Sequence, residues 1–303
     1  MEKPDIEKIK QEKSINELLE FGILVIDKPS GPTSFNVSDT VRKILGLKKT
    51  SHFGTLDPKV TGVLPIAMNR ACKLTGFFLG EDKEYTGTMR LHEDVSEERL
   101  KTAIEERFTG KIMQKPPVKS RVARVLRERE IKSFDITGRE GKDRDFHVVC
   151  QGGTYIRKLI DDLGKDLGIG AHMLKLRRTR AGIFKEKDSV SLDGLEKAAT
   201  KYKDGDDGML KGMIFPAEVI SELFPVAQIR SDEEKILHGQ PIYEDNLAYR
   251  GDYMNGEKIS VFSGKRFIGI FKVVREGRVF ARPEFVLQPI EGKEDFKTKD
   301  SSL

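Results

Sequence analysis

The chain has 303 residues, 37% of them apolar and 34% charged, and 54 basic against 49 acidic side chains leave a net charge of only +5. That length suits one large domain with a small one beside it; the apolar fraction excludes wholesale disorder, and so small a net charge does not by itself select a nucleic-acid partner. Two distant cysteines, Cys72 and Cys150, fit no metal-ligand spacing and read as free thiols of a reduced, cytoplasmic protein.

In chain order, residues 1–20 (with the charged start MEKPDIEKIKQEK, which is no signal peptide) are polar and read as an extension outside the core. No run approaches the roughly 18 apolar residues of a membrane span. At Phe21 the composition changes, and Ile23 to Ile26 form a short apolar strand that runs into the turn cluster KPSGPTS. Ser34 suits a helix N-cap, with Val37, Val41, Ile44 and Leu45 on one face and Gly46 at the end. Tyr85 to Leu91 reads as a strand. Ser96 opens a helix in which Leu100, Ile104 and Phe108 recur every four residues, and Thr109-Gly110 closes it.

Residues 121–136 and 145–150 alternate with a period of two and pair as strands across the turn GREGKD. Thr154 caps a further helix with Ile156, Leu159, Ile160 and Leu163 on its apolar face. Without a strict βαβ rhythm, this order predicts a mixed sheet with helices packed on it. The polar, Gly/Asp-rich stretch 197–212 reads as the approach to a linker, with a boundary near residue 221. Beyond it KISVFS, FIGIFKVV and VFARPEFVL predict a small β-rich module.

Charge is distributed unevenly. Residues 115–132 hold seven Lys or Arg against two Glu, and KLRRTR at 175–180 holds four positive charges and no negative one. Such runs are either solvated faces or an electrostatic footprint for RNA.

The sharpest segment is His52 to Pro65, HFGTLDPKVTGVLP. An Asp before Pro, in a loop flanked by Gly54 and Gly62, has a restricted backbone and a projecting carboxylate. An isolated Asp-Pro is usually an ordinary turn. Here the whole stretch resembles the catalytic motif of the TruB family of pseudouridine synthases, whose Asp is the nucleophile; the resemblance assigns that role to Asp57.

Three more segments match the family in the same order. KPSGPTS from Lys28 resembles the motif whose Lys and Pro shape the floor of the active site. Lys83-Glu84-Tyr85 resembles the one whose Tyr stacks on the target base, and Gly153 to Arg157, GTYIR, the one whose Arg pairs with the catalytic Asp. The resemblance therefore implies catalytic roles for Tyr85 and Arg157. It implies substrate or RNA contacts for Lys28, His52, Tyr155 and Leu176, and phosphate contacts for Arg177, Arg178 and Arg180 in GAHMLKLRRTRAG.

The fold so implied is α+β. A catalytic domain at 21–212, with a mixed and mostly antiparallel sheet, is followed by a PUA-like RNA-binding domain at 222–292 and a polar tail at 293–303. The PUA resemblance rests on LHGQPI with GEKISVFS and FIGIFKV; YEDNLAYRGDYMNG departs from the usual glycine-bearing run.

The chemistry suits these residue types. Isomerising uridine breaks the N-glycosidic bond, turns the uracil and rejoins it through C5, with no redox step or group donor and hence no cofactor. A carboxylate can attack the sugar C1′ or the base C6, or assist loss of a C2′ proton. An arginine within ion-pair reach favours the charged form and fixes its direction. Residues 91–109 pass straight from strand to helix where bacterial members carry an insertion, so the chain looks more like the archaeal and dyskerin-type branch. That branch implies tRNA and rRNA substrates, with an H/ACA guide RNA and small accessory proteins as partners. A non-catalytic RNA-binding scaffold is the alternative; intact Asp57, Tyr85 and Arg157 speak against it.

Overall fold

In the computed structural model the apolar run after Phe21 becomes strand β1 (Gly22–Lys28), in which every residue but Asp27 is buried. A strand covered on both faces reads as a continuous apolar run rather than as an alternation. The structure describes residues 3–116 and 123–288. They fall into two units, Lys10–Ala217 and a second that takes in residues up to Ile9 and from Glu218 on.

Helices α1 (Ile6–Glu12) and α2 (Ile15–Glu20) precede β1, and α3 (Ser34–Ile44) follows it. Next come β2 (Thr50–His52), β3 (Thr61–Met68), α4 (Thr75–Leu79), β4 (Lys83–Leu91) and α5 (Glu97–Arg107). The edge is built by β5 (Gly110–Gln114), β6 (Arg127–Glu140) and β7 (Asp143–Cys150). After α6 (Ile156–Asp166) the chain returns as β8 (Ala171–Ala181) and β9 (Phe184–Lys185). Helices α7 (Leu192–Lys203) and α8 (Gly208–Met213) lead to β10 (Ile214–Pro216).

The large sheet runs β10-β1-β3-β8-β4-β7-β6-β5, with β2 on β3 and β9 on β8. Its pairs are antiparallel except β3 with β8, which are parallel. The fold is α+β, mixed and mostly antiparallel. Its register brings distant segments into one row: Lys28 pairs with Gly62, Gly62 with Arg178, Arg178 with Tyr85 and Tyr85 with Val148.

Several local expectations are corrected. The first twenty residues do not all lie outside the core: Ile15 and Leu18 are buried in it. A capping box starts α2 there, with Ser14 Oγ accepting from Glu17 N–H and the Glu17 carboxylate accepting from Ser14 N–H at 2.8 Å. The N-cap of α3 is Thr33, whose hydroxyl accepts from Asn36 N–H at 3.0 Å, so Ser34 is free for another task. Thr154 does not cap α6. The N-cap is Tyr155, and the Thr154 hydroxyl donates to Gln151 O at 2.7 Å.

The stretch read as a linker is α7 and α8, because Leu195, Ala198, Ala199 and Leu210 recur at helical spacing among the polar residues and are buried. The hairpin β6–β7 is longer than expected and turns at Gly141, whose φ is +56°. The expected strand start at 121–122 lies outside the described residues.

The second unit has a sheet of its own. Its strands are β11 (Val226–Gln228), β12 (Ile242–Tyr243), β13 (Lys258–Ser263), β14 (Arg266–Glu276) and β15 (Val279–Val286), with helix α9 (Glu233–Leu237). Their order is β11-β13-β14-β15-β12, around a core that includes Ile259, Phe271 and Phe280. The expected tail at 293–303 lies outside the described residues. Among the described residues no helix is long and apolar enough to cross a membrane.

Candidate active site

Residues 53–60 join β2 to β3, and Asp57 stands there before Pro58, whose ring limits the backbone of the residue preceding it. The loop is fastened on both sides of Asp57. Ser34 Oγ accepts from Leu56 N–H at 2.8 Å and donates to Leu56 O at 3.0 Å. Lys28 Nζ donates to Pro58 O at 3.0 Å, Val60 O at 2.8 Å and Pro29 O at 2.9 Å. Gly31 N–H adds a second bond to Pro58 O at 2.9 Å. From below, Arg178 Nε donates to Val63 O at 2.7 Å and Nη2 to Gly54 O at 3.1 Å.

Lys28 and Arg178 are 0% and 1% exposed. A cation so buried is tolerated only when its donors find partners. Burial lowers the pKa of Lys28, and the Asp57 carboxylate partly opposes that. Gly62 is obligatory in this arrangement. Its φ is +102°, and a Cβ there would lie 2.2 Å from the carbonyl oxygen of Arg178.

The Asp57 side chain itself remains 47% exposed, and Arg157 Nε lies 2.9 Å from its Oδ2. Arg157 stands in the first turn of α6, which follows the turn after β7. Tyr85 on β4 is 8% exposed. Burial raises its pKa, with the Arg178 guanidinium opposing, so the phenol keeps its proton near neutrality. His52 Nε2 is 3.2 Å from Thr55 Oγ1. Burial, aided by Arg178, lowers its pKa and keeps the ring neutral. Leu176 is buried on β8 two residues before Arg178, on the same face of the strand. Tyr155 is half-buried at the start of α6.

The fold thus gathers Lys28, His52, Asp57, Tyr85 and Arg157 around one loop, whereas the phosphate contact expected of Arg178 requires correction. Arg178 faces the protein rather than phosphate, because its side chain turns to the face on which the carbonyls of Val63 and Gly54 take its donors. Arg177 forks onto Asp27 at 2.9 and 3.0 Å and also pairs with Glu186. Arg180 Nε pairs with Glu84 at 3.0 Å and Nη1 donates to Gly182 O at 3.2 Å. Lys28 likewise grips backbone instead of offering its ammonium to RNA.

Two residues went unread in the sequence. Ser34 looked like an N-cap, and only its place in the KPSGPTS cluster hinted at more. Lys83 is 4% exposed, donates to the carbonyls of Phe78, Leu79 and Glu81, and has its pKa pushed down to about 8 by burial, with Arg178 adding to the effect. Phe53 stacks on Phe78 at 4.5 Å and backs the same loop. Among the described residues no group of three His, Cys, Asp or Glu side chains is placed to hold a metal.

The model of the TruB family pseudouridylate synthase N-terminal domain matches residues 42–156, and that of the tRNA pseudouridylate synthase B C-terminal domain matches 157–221. The probable tRNA pseudouridine synthase B of Methanocaldococcus jannaschii is 47% identical over 78% of this chain and 71% of its own length. That of Korarchaeum cryptofilum is 44% identical over 76% of this chain and 71% of its own. Among solved structures, a Cbf5-Nop10-Gar1 complex contains a chain 35% identical, with a TM-score of 0.85 over 92% of this chain and 89% of its own. An H/ACA RNP bound to a substrate RNA containing 2′-deoxyuridine contains one 33% identical, with a TM-score of 0.83 over 92% and 89%.

Proposed function

The chain belongs to the TruB family of pseudouridylate synthases and is an RNA pseudouridine synthase, and from that premise we propose that Asp57 is its nucleophile and the T-loop uridine of tRNA its substrate. One observation carries this reading. A half-exposed carboxylate is paired with Arg157 at 2.9 Å, on a loop whose backbone is bonded to Lys28, Ser34 and Arg178. Catalysis benefits from a group held in its reacting orientation before substrate arrives. The names of the archaeal relatives support the tRNA substrate.

The target uridine must leave its stack to reach Asp57, which costs a few kcal/mol that pocket contacts offset. The neutral His52 ring can displace it, and Tyr85 and Leu176 line the place the base enters. Asp57, paired with Arg157, then acts on the sugar C1′, the base C6 or a C2′ proton. Because Tyr85 stays protonated, its phenol cannot take the C5 proton outright. It can only pass one along while giving up its own.

Tritium release from 5-tritiated uridine in a tRNA transcript, with no cofactor added, tests the assignment. Asp57→Asn should abolish release while RNA affinity stays within about tenfold, because the carboxylate acts on the barrier more than on ground-state binding. Release that persists in Asp57→Asn removes Asp57 from the role of nucleophile.

A second reading has its own support. The likeness to the Cbf5 chain in complexes with Nop10 and Gar1, and in an H/ACA RNP, favours guide-directed modification of rRNA uridines with a guide RNA and small accessory proteins. The β-rich unit after Glu218 would serve there as a PUA-like RNA-binding domain. Protein that is silent alone and releases tritium once those components are added would establish the guided route.

A further inference from the structure

Resting on the assignment of Asp57 and Arg157 above, we infer that Gln114 is a positioning residue that sets the catalytic ion pair from the far edge of the sheet. Gln114 is the last residue of the edge strand β5, and its side chain is 3% exposed. A buried primary amide needs partners for both ends. Both are found on one residue: Oε1 accepts from Tyr155 N–H at 3.0 Å, and Nε2 donates to Tyr155 O at 3.3 Å.

Tyr155 is the N-cap of α6 and offers no side-chain cap of its own. Its carbonyl also accepts the first helical bond, from Leu159 N–H at 3.0 Å. Gln114 takes the N–H of the N-cap residue, as the returning side chain of a capping box does, and shares its carbonyl, so the amide ties down the residue at which the helix begins. The neighbouring strand adds a second hold. Arg129 on β6 donates from Nε to Gly153 O at 3.1 Å. Gly153 has φ +85°, and a Cβ there would approach Arg129 Nη2 to 3.2 Å, so the turn is fitted closely to that guanidinium.

Residues 153 and 155 are thus both held by the β5–β6 hairpin, and two residues later Arg157 meets Asp57. The Asp57 loop is fixed by Lys28, Ser34 and Arg178, so one half of the ion pair is held from the centre of the sheet. The other half depends on the hairpin. Gln114 touches neither Asp57 nor Arg157, and it acts through the placement of α6.

Single-turnover tritium release, RNA affinity and the Arg157 Nε–H proton signal are measured in the wild type and in Gln114→Met, which keeps the volume and loses both bonds. Gln114→Met should lower the single-turnover rate about 10- to 100-fold with RNA affinity within about threefold. In an Arg157→Ala background the same change should cost nothing further, since a residue acting only through Arg157 is not additive with its loss. Gln114→Glu, which keeps the acceptor for Tyr155 N–H, should fall between the two and serves if the Met variant does not fold.

A wild-type rate in Gln114→Met, or losses that multiply in the double variant, overturns the inference. The Nε–H proton of Arg157 should exchange faster in Gln114→Met than in the wild type, and in Asp57→Asn likewise; an exchange rate unchanged in Gln114→Met also overturns it. That readout needs no turnover, so a failure of the pseudouridine reading would leave it interpretable.

Discussion

Strand β4 runs from Lys83 to Leu91, and the cations of the sheet beside its two ends are used differently. Beneath the Asp57 loop the cations Lys28 and Arg178 are almost wholly buried and donate to backbone carbonyls. At the opposite end Arg90 forks onto Asp143 at 2.7 and 2.9 Å, with the Arg90 side chain 52% exposed. Nearby the rings of His92 and His172 share a hydrogen bond of 2.8 Å. A cation that has lost its water must find replacement acceptors, and where those are carbonyls of a loop the charge fixes the loop's shape. A cation that keeps its water finds a partner whose loss the solvent repairs. Position in the sheet, rather than charge, decides which residues shape the site.

The sharpest way to break that contrast is Lys28→Met. It keeps a long apolar stem and leaves the carbonyls of Pro29 and Val60 without their Lys28 donor, while Pro58 O keeps the Gly31 N–H. Buried acceptors left without donors cost about 1–3 kcal/mol each before relaxation, so a loss of about 2–4 kcal/mol of stability is expected in denaturant titration. Turnover should fall by about two orders of magnitude, because a loop displaced by an ångström misplaces Asp57. A variant of wild-type stability and rate would show that Lys28 does not hold the loop. Ser34→Ala is milder, since it removes the two bonds to Leu56 and leaves the Lys28 and Arg178 contacts standing. About 1–2 kcal/mol of stability and roughly a tenfold loss of turnover should follow, with RNA affinity unchanged. Weakened RNA binding with a normal single-turnover rate would instead place Ser34 on the substrate surface.

How far the sequence reached follows from the same division. The apolar run of β1, the helix capped by Ser96 and the Asp57-Pro58 loop were legible because each depends on neighbours in the chain. So was the pairing partner of Asp57, through the resemblance of GTYIR. The RNA contacts expected of Lys28 and Arg178 were misread, because a Lys or Arg looks the same in sequence whether it meets phosphate or a buried carbonyl. Only the register that sets Gly62 beside Arg178, across 115 intervening residues, decides the matter. The helices α7 and α8 were missed for another reason. Asp and Gly between them made the segment look like a linker, while a few Ala and Leu residues were enough to bury one face.

Arg90→Ala closes the comparison from the exposed end. By distance the Arg90–Asp143 fork is as short as the contacts of Arg178, and it spans adjacent strands, β4 and β7. Asp143 pulls the pKa of Arg90 upward through that contact, and Arg90 lowers that of Asp143 in turn. Geometry alone would rank it beside the contacts of Arg178. Solvent access ranks it far lower, because water replaces each lost bond and holding two long side chains in one arrangement costs entropy. The expected result is a denaturation midpoint and a tritium-release rate indistinguishable from the wild type, at low salt and at high salt. A marked drop in midpoint at low salt that disappears at high salt would mean that the exposed pair does hold β4 to β7. The rule separating the two ends of the sheet would then have to rest on strand pairing instead of burial.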